Sequence, residues 1–264
     1  MTGFLSSLLG RLPIGYLQLM HHPGRLMAAL AGVAFANVLV FVQLGLAGSM
    51  AESVAIPYRL FKPDLLIMSP VESETLSDAA TLPRQRLFQA QVHPDVTGGT
   101  PIYMGRSTWI SGHDASSSIQ FIGLSPDAGS FVDDALVDPL ISLSLSDTAL
   151  VDRLTRFVDM RSFSGASPEA PVSFEMQNRQ IGAIGTVSIG GGFGGDGVFL
   201  VSDQTFFHLF PQRSSATPSH ILLTLAPGAD PGRVAAELMQ LYPPDTVRIR
   251  SVTEAMEHEI RYQM

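Results

Sequence analysis
The sequence predicts an α+β fold: one N-terminal transmembrane helix, then a mixed α/β extracytoplasmic domain with a β-α-β lobe and a β-rich inserted lobe. Three observations predict it. The run from Leu26 to Met50 carries no formal charge. Beyond it, short segments rich in Ile, Val, Thr and aromatic residues alternate with segments of helical spacing. Near the end, a strand, a capped helix and a second strand follow one another.

Composition agrees. The 264 residues are 45% hydrophobic but only 15% charged, against roughly 25% charged in soluble domains, and mean hydropathy is +0.24. Disorder needs the opposite balance. Of the 16 basic residues only Arg11 and Arg25 lie in positions 1–50, which hold no Asp or Glu, so 51–264 carries 24 acidic against 14 basic residues. A body at −10 with a single lysine, Lys62, is a poor nucleic-acid binder, because such binding neutralises phosphates with Lys and Arg. With no cysteine, disulfides, thiolate catalysis and Cys-ligated metal centres are excluded.

The uncharged run defines the first element. As a helix it spans ~37 Å at ~1.5 Å per residue, enough for a ~30 Å hydrocarbon core. It exceeds the 7–15 apolar residues usual in a cleavable signal, and 25 residues precede it, so an uncleaved anchor is expected. Asn37 is expected to turn towards protein, and the small residues from Ala28 to Gly48 would let another helix approach. Arg11 and Arg25 precede the span and Glu52 is the first charge after it, which places the N-terminus in the cytoplasm. Leu5, Leu8, Leu9 and Leu12 fit a short amphipathic helix along the inner membrane face. The expected layout is a cytoplasmic amphipathic segment over 1–25, a transmembrane helix over 26–48 and an extracytoplasmic body over 51–264.

Within the body, Asp64–Ser69 reads as a strand ended by Pro70, and Leu82–Val92 as a helix starting near Pro83. Thr100–Ser111 and Ser117–Leu124 read as paired strands, with Trp109 in the core. Asp147–Val158 has helical spacing at Leu150, Val151, Leu154 and Val158, with Asp147 near its N-cap. Val172–Gln177, Gln180–Ser188 and Val198–Ser202 read as strands. Ser219–Leu225, Pro231–Leu241 and Thr246–Arg250 form the strand–helix–strand pattern, with Asp230 and Pro231 where capping chemistry prefers them. Val252–Met264 is helical, and Glu254, Glu257, His258 and Glu259 mark a solvated acidic face.

Motifs for chemistry are missing. Gly190–Gly197 lacks the Lys-Ser/Thr of a phosphate loop, and a strand rather than a helix follows it, so it reads as a turned or flexible connection. Asp196 alone is weak evidence for a cation. The seven histidines show no metal-ligand spacing. Ser111, His113 and Asp114 are triad residue types that merely adjoin in sequence, whereas triads assemble from distant segments. The residues identify no catalytic, cofactor-binding or metal site and require no cofactor. They describe a binding or mechanical module rather than a catalyst.

Several blocks in order resemble the DevC-type permease subunits of ABC exporters, in the wider MacB-like class. They are LQLMHHPGRLMAALAGVAFANVLVFVQLG (17–45), KPDLLIMSP (62–70), RQRLFQA (84–90), NRQIGAIGTVSIGGGFGGDGVFLVSD (178–203) and LAPGADPGRVAAELMQLYPPDTVRI (225–249). The resemblance implies that 51–264 is a periplasmic MacB-like core domain with a porter-like β-α-β lobe. It implies an inner-membrane, non-catalytic homodimer contacting membrane lipid. The implied partners are a separate ABC ATPase subunit and a periplasmic membrane-fusion protein, and the implied cargo is lipid-like or otherwise hydrophobic. Such permeases carry three further membrane helices. The sequence ends at Met264, where the next would begin, which reads as a fragment or a truncated frame. The other reading is a membrane-anchored extracytoplasmic binding or sensor protein without transport.

Overall fold
The computed structural model describes residues 21, 23–71, 74–76, 80–111, 115–192 and 195–263. The expected amphipathic helix around Leu5–Leu12 and the turn at His113 and Asp114 lie outside these. The chain divides into two units, Met1–Ser49 and Met50–Met264.

Helix α1, Pro23–Tyr58, belongs to the first unit up to Ser49. Apart from Arg25, Asn37, Gln43 and Ser49 its side chains there are apolar or glycine, with no buried stripe: Phe35 and Phe41 are 70% and 71% exposed. A helix of a soluble domain buries one stripe and keeps a polar face. This one buries no stripe and has no continuous polar face, and among the described residues it is the one helix long and apolar enough to cross a membrane.

The second unit is a mixed sheet of nine strands among the described residues: β1 Leu65–Met68, β2 Val96–Ser111, β3 Ala115–Leu124, β4 Thr148–Asp152, β5 Val172–Met176, β6 Arg179–Val187, β7 Gly197–Ser202, β8 His220–Leu225 and β9 Arg248–Ser251. Their order is β5-β6-β4-β7-β3-β2-β8-β1-β9. The long β2 serves two lobes. Its residues 96–102 pair with β8, and 103–111 pair with β3. One lobe is β2-β8-β1-β9; strands β3 to β7, which make the other, fall in sequence between β1 and β8. The inserted lobe is therefore real, and both lobes hang on one backbone.

Local chemistry accounts for the joins. Gln177 and Asn178 both have left-handed φ, 52° and 58°, and link β5 to β6 across the Met176–Arg179 pair, as a two-residue hairpin turn matched to strand twist requires. Helix α2 is Gln85–Ala90. Helix α3, Asp134–Ser142, is capped by Asp133, whose Oδ1 accepts from Ala135 N at 3.0 Å. Helix α4, Asp203–Leu209, is capped by Ser202. Helix α5, Pro231–Leu241, has Pro231 in its first turn and Asp230 accepting from Gly232 N. Helix α6 is Val252–Gln263. Helices α3 and α4 are additions to the elements that the sequence predicts. Strands β8 and β9 flank α5 in sequence, but β1 lies between them, antiparallel to both.

One expectation is overturned. Asp147–Val158 does not form a helix. Asp147 has φ +53°, wrong for the extended backbone of an N-cap. Thr148–Asp152 is instead β4, buried at every position between β6, parallel to it, and β7, antiparallel. A strand covered on both faces reads as a continuous apolar run. The helical spacing of Leu150 and Leu154 was coincidental.

Alternation along the strands builds three cores. Leu66, Met68, Ile102, Ile122, Leu150, Leu200 and Leu222 face one side, under Val54, Tyr58 and Ala255. On the other side, Trp109, Phe121, Phe174, Phe199 and Phe206 fill the inserted lobe. Leu65, Ile67, Ile221, Val234 and Leu238 fill the other lobe. In that last core the Tyr242 hydroxyl donates to Arg86 O at 2.9 Å. Burial pushes its pKa up to about 12, despite the nearby Arg86 guanidinium. A folded-state value above the unfolded ~10 means the neutral phenol favours folding below about pH 10. That contribution is lost as pH rises from 10 towards 12. Thermal melts across this window should fall for the natural chain, and more shallowly for Tyr242→Phe.

Candidate functional site
The residues that join α1 to the domain form the most constrained polar cluster. Val54, Pro57 and Tyr58 of its last turns are buried. The Tyr58 hydroxyl donates to Glu259 Oε2 at 2.7 Å. Leu76 N donates to the same oxygen at 3.0 Å and lies 3.3 Å from the Tyr58 oxygen. His220 Nε2 donates to Leu76 O at 3.2 Å. Glu259 is fully buried, which corrects its reading as part of a solvated acidic face. The missed signal is helical phase: Glu259 lies seven residues after Val252, on the face that packs Val252, Ala255, Met256 and Ile260 against the core. Glu254 sits on another face, where its Oε2 accepts from Ser251 N and Oγ. Tyr58 carried no signal at all, since its partner lies 201 residues on.

Glu74 extends the cluster. Its carboxylate receives Arg248 Nε at 3.2 Å and Arg250 Nη2 at 2.6 Å. The short segment between β1 and α2 is thereby tied to β9 through Glu74 and to α6 through Leu76.

The glycine-rich stretch lies against the same helix end. Asp152, fully buried, accepts from Leu154 N, Ile189 N and Gly190 N at 3.0, 3.1 and 2.8 Å. Gly190 has φ +91°, a backbone state that L side chains rarely adopt. At Gly192 the requirement is space: a Cβ would lie 2.7 Å from the Ser53 carbonyl oxygen. Asp196 is occupied by structure, its Oδ2 accepting from Ser118 N at 2.8 Å, with Arg156 Nη2 3.6 Å from Oδ1. Arg156 Nη2 also donates to Gly192 O and Gly195 O. Over its described residues the stretch is a bound strap against α1, not a loose connection; Phe193 and Gly194 lie outside the described residues. Gly192→Ala should cost about 1–3 kcal/mol, because a backbone carbonyl must move. Gly165→Ala, where nothing lies within 4 Å, should change the melting temperature little. A thermal melt of both variants checks the contrast.

Beside the strap opens a cleft of about 440 Å³. Its walls are Ile56 of α1 with Arg59 and Leu60 just beyond it, Asp133, Leu136 and Pro139 of the α3 region, and Thr186–Ile189 at the end of β6. The walls are mixed, apolar side chains beside Arg59, which pairs with Glu52, and Asp133, which pairs with Lys62. Elsewhere His93 Nε2 lies 2.7 Å from Glu237 Oε2 and His208 Nδ1 2.8 Å from Asp147 Oδ1. Each is one histidine with one carboxylate. Among the described residues no three His, Asp or Glu side chains stand where they could hold one metal ion.

No protein-family model matches the chain, and no curated protein matches it. Solved structures are similar in part. The periplasmic region of MacB from Actinobacillus actinomycetemcomitans matches at 12% identity and a TM-score of 0.47, over 75% of this chain and 92% of that one. The extracellular domain of the noncanonic ABC-type transporter YknZ from Gram-positive bacteria matches at 12% identity and 0.46, over 72% and 100%. A domain of a putative permease protein from Porphyromonas gingivalis matches at 14% and 0.35, over 65% and 78%.

Proposed function
We propose that this chain serves as a non-catalytic permease subunit of an ABC-type exporter. In this reading 1–25 lies at the cytoplasmic face of the inner membrane, 26–48 spans it, and 51–264 is the periplasmic domain. The subunit acts as a homodimer with a separate ATPase and a periplasmic fusion protein, and exports a lipid-like or otherwise hydrophobic substrate. The observation that carries the reading is α1 itself. It is uncharged from Leu26 to Met50, and its last residue, Tyr58, is held in the core of the domain by Glu259. A helix fixed in this way can pass a displacement to the folded domain, which a flexible linker would absorb. The ordered sequence blocks of the DevC-type permeases support it, and the cleft between Leu60 and Ile189 offers room for an amphiphilic group.

The absence of cysteine gives a clean topology test. With single cysteines at Thr2 and Gly165, an impermeant maleimide on spheroplasts should label Gly165→Cys, and Thr2→Cys only after lysis. The transport role is tested on the full chain purified from its native membranes in mild detergent. A co-purifying ATPase with vanadate-sensitive hydrolysis is expected. The same topology with no associated ATP hydrolysis would instead identify an anchored binding or sensor protein.

A further inference from the structure
We propose that the outer half of β2 is a docking edge, which takes one extended segment of a partner protein in antiparallel pairing. The segment carries an acidic residue opposite Arg106 and an aliphatic one opposite Ile110. The inference concerns the second unit alone and does not rest on the transport role. Alternation along β2 identifies the edge. Ile102 O accepts from Ser219 N at 2.9 Å. Met104 N donates to Ser219 Oγ at 2.9 Å, and Met104 O accepts from Arg213 Nη1 at 2.9 Å. The Met104 N–H therefore turns away from β3. Residues 103–111 pair with β3 without a register shift, and in such a ladder backbone groups face alternate sides. The N–H and C=O of Arg106, Thr108 and Ile110 thus turn away from β3 as well. On that side β8 ends its pairing at Ile102. Among the described residues no hydrogen bond reaches these outward groups.

A groove of about 620 Å³ lies along this edge, walled by 106–110 and by 175–178. The far wall is the β5–β6 hairpin. Its two-residue turn makes Met176 and Arg179 the hydrogen-bonded closing pair, so Glu175 turns its backbone groups away from β6. Gln177 Nε2 reaches across to donate to Ser107 Oγ at 2.6 Å. A groove bounded in this way has room for one strand and not for the edge of a second folded sheet. That favours an extended segment over a second copy of this chain. Only another extended backbone offers acceptors and donors at the spacing of the outward N–H and C=O groups. Exposed edges are usually blunted by proline, a bulge or charge. Residues 103–111 hold no proline and no bulge, and their one charge is Arg106.

The side chains along the edge define the segment. Ser107 and Trp109 are buried, whereas Arg106, Thr108 and Ile110 are exposed, Ile110 to 70%. Arg106 has no ion-pair partner among the described residues, and neither has Glu175 on the far wall. Directly opposite residues of an antiparallel pair stabilise each other when they are oppositely charged or both β-branched. The matching segment therefore reads, from its N-terminus, aliphatic-x-Thr-x-Glu: the aliphatic side chain covers Ile110, the threonine meets Thr108 and the glutamate meets Arg106. Glu175 disfavours a longer run of acids.

The probes are two fluorescein-labelled peptides, Ser-Val-Ser-Thr-Ser-Glu-Ser and the same sequence with Lys in place of Glu, titrated with the full chain in detergent micelles. Fluorescence anisotropy should show saturable binding, about threefold or more tighter for the Glu peptide. Arg106→Glu should invert that preference. Thr108→Pro removes an outward N–H that no other strand uses, so it should keep the melting temperature within a few degrees and weaken the Glu peptide about fivefold or more. Ser107→Pro, which removes an N–H turned towards β3, should melt clearly lower. The inference is overturned if neither peptide binds, if Thr108→Pro binds as the natural chain does, or if Arg106→Glu leaves the preference unchanged. Efficient cross-linking of two Thr108→Cys chains by a short bismaleimide would seat a second copy at this edge and overturns it too.

Discussion

Phe199→Ala is expected to cost about 3–5 kcal/mol, the usual range for deleting a large aromatic side chain from a packed core. Phe199 is fully buried on β7, and its ring lies 5.9, 5.6 and 5.8 Å from those of Trp109, Phe121 and Phe174. Those residues come from β2, β3 and β5, so one deletion loosens three strands of the inserted lobe. In a domain of this size the melting temperature should drop by roughly 6–20 °C. Phe199→Leu, which keeps much of the volume, should recover part of the loss. The near-ultraviolet dichroism of Trp109 reports the change locally. A drop as small as that of a surface variant would mean that the rings are not packed as described.

Glu259→Ala is expected to cost on the order of 3 kcal/mol. It strips the acceptor from the Tyr58 hydroxyl and leaves the Leu76 N–H only the longer bond to the Tyr58 oxygen, and a buried donor left unpaired costs roughly 1–3 kcal/mol. Tyr58→Phe should cost less, because Leu76 N still reaches Glu259 Oε2, and Glu259→Gln, which keeps an acceptor oxygen, should fall below Glu259→Ala. The double variant Tyr58→Phe/Glu259→Ala should lose less than the sum of the two singles, since the two residues share one bond. Denaturant unfolding of the four variants checks this. Simple additivity would remove the bond from the account. The proposed transport role adds a second readout. Variants that still fold but hold α1 loosely should lower export more than they lower the ATP hydrolysis of the associated subunit.

The candidate site was only partly legible. Glu259 was visible in principle, because its phase with Val252 places it on the apolar stripe of α6. Grouping it with Glu254 and Glu257 by charge obscured that phase. The glycine stretch stood out in composition, but its purpose did not: nothing near Gly192 in sequence says that a backbone carbonyl from Ser53 will lie against it. Asp152 likewise gave no sign that it would hold the backbone N–H groups of Ile189 and Gly190.

By itself the sequence determined the features that depend on neighbours along the chain. These are the uncharged run of α1, the period-two strands around Trp109, the capped helix after Asp230 and the alternation of strand and helix that makes the fold α+β. Each follows from side-chain spacing, or from capping within a few residues. The tertiary structure alone decided the rest: Thr148–Asp152 as a central strand, β2 shared between two lobes, β1 lying between β8 and β9, and Tyr58 closed onto Glu259. These depend on which surfaces meet after collapse. Burial on both faces or a bond across 201 residues can outweigh a local preference worth less than a kilocalorie per residue.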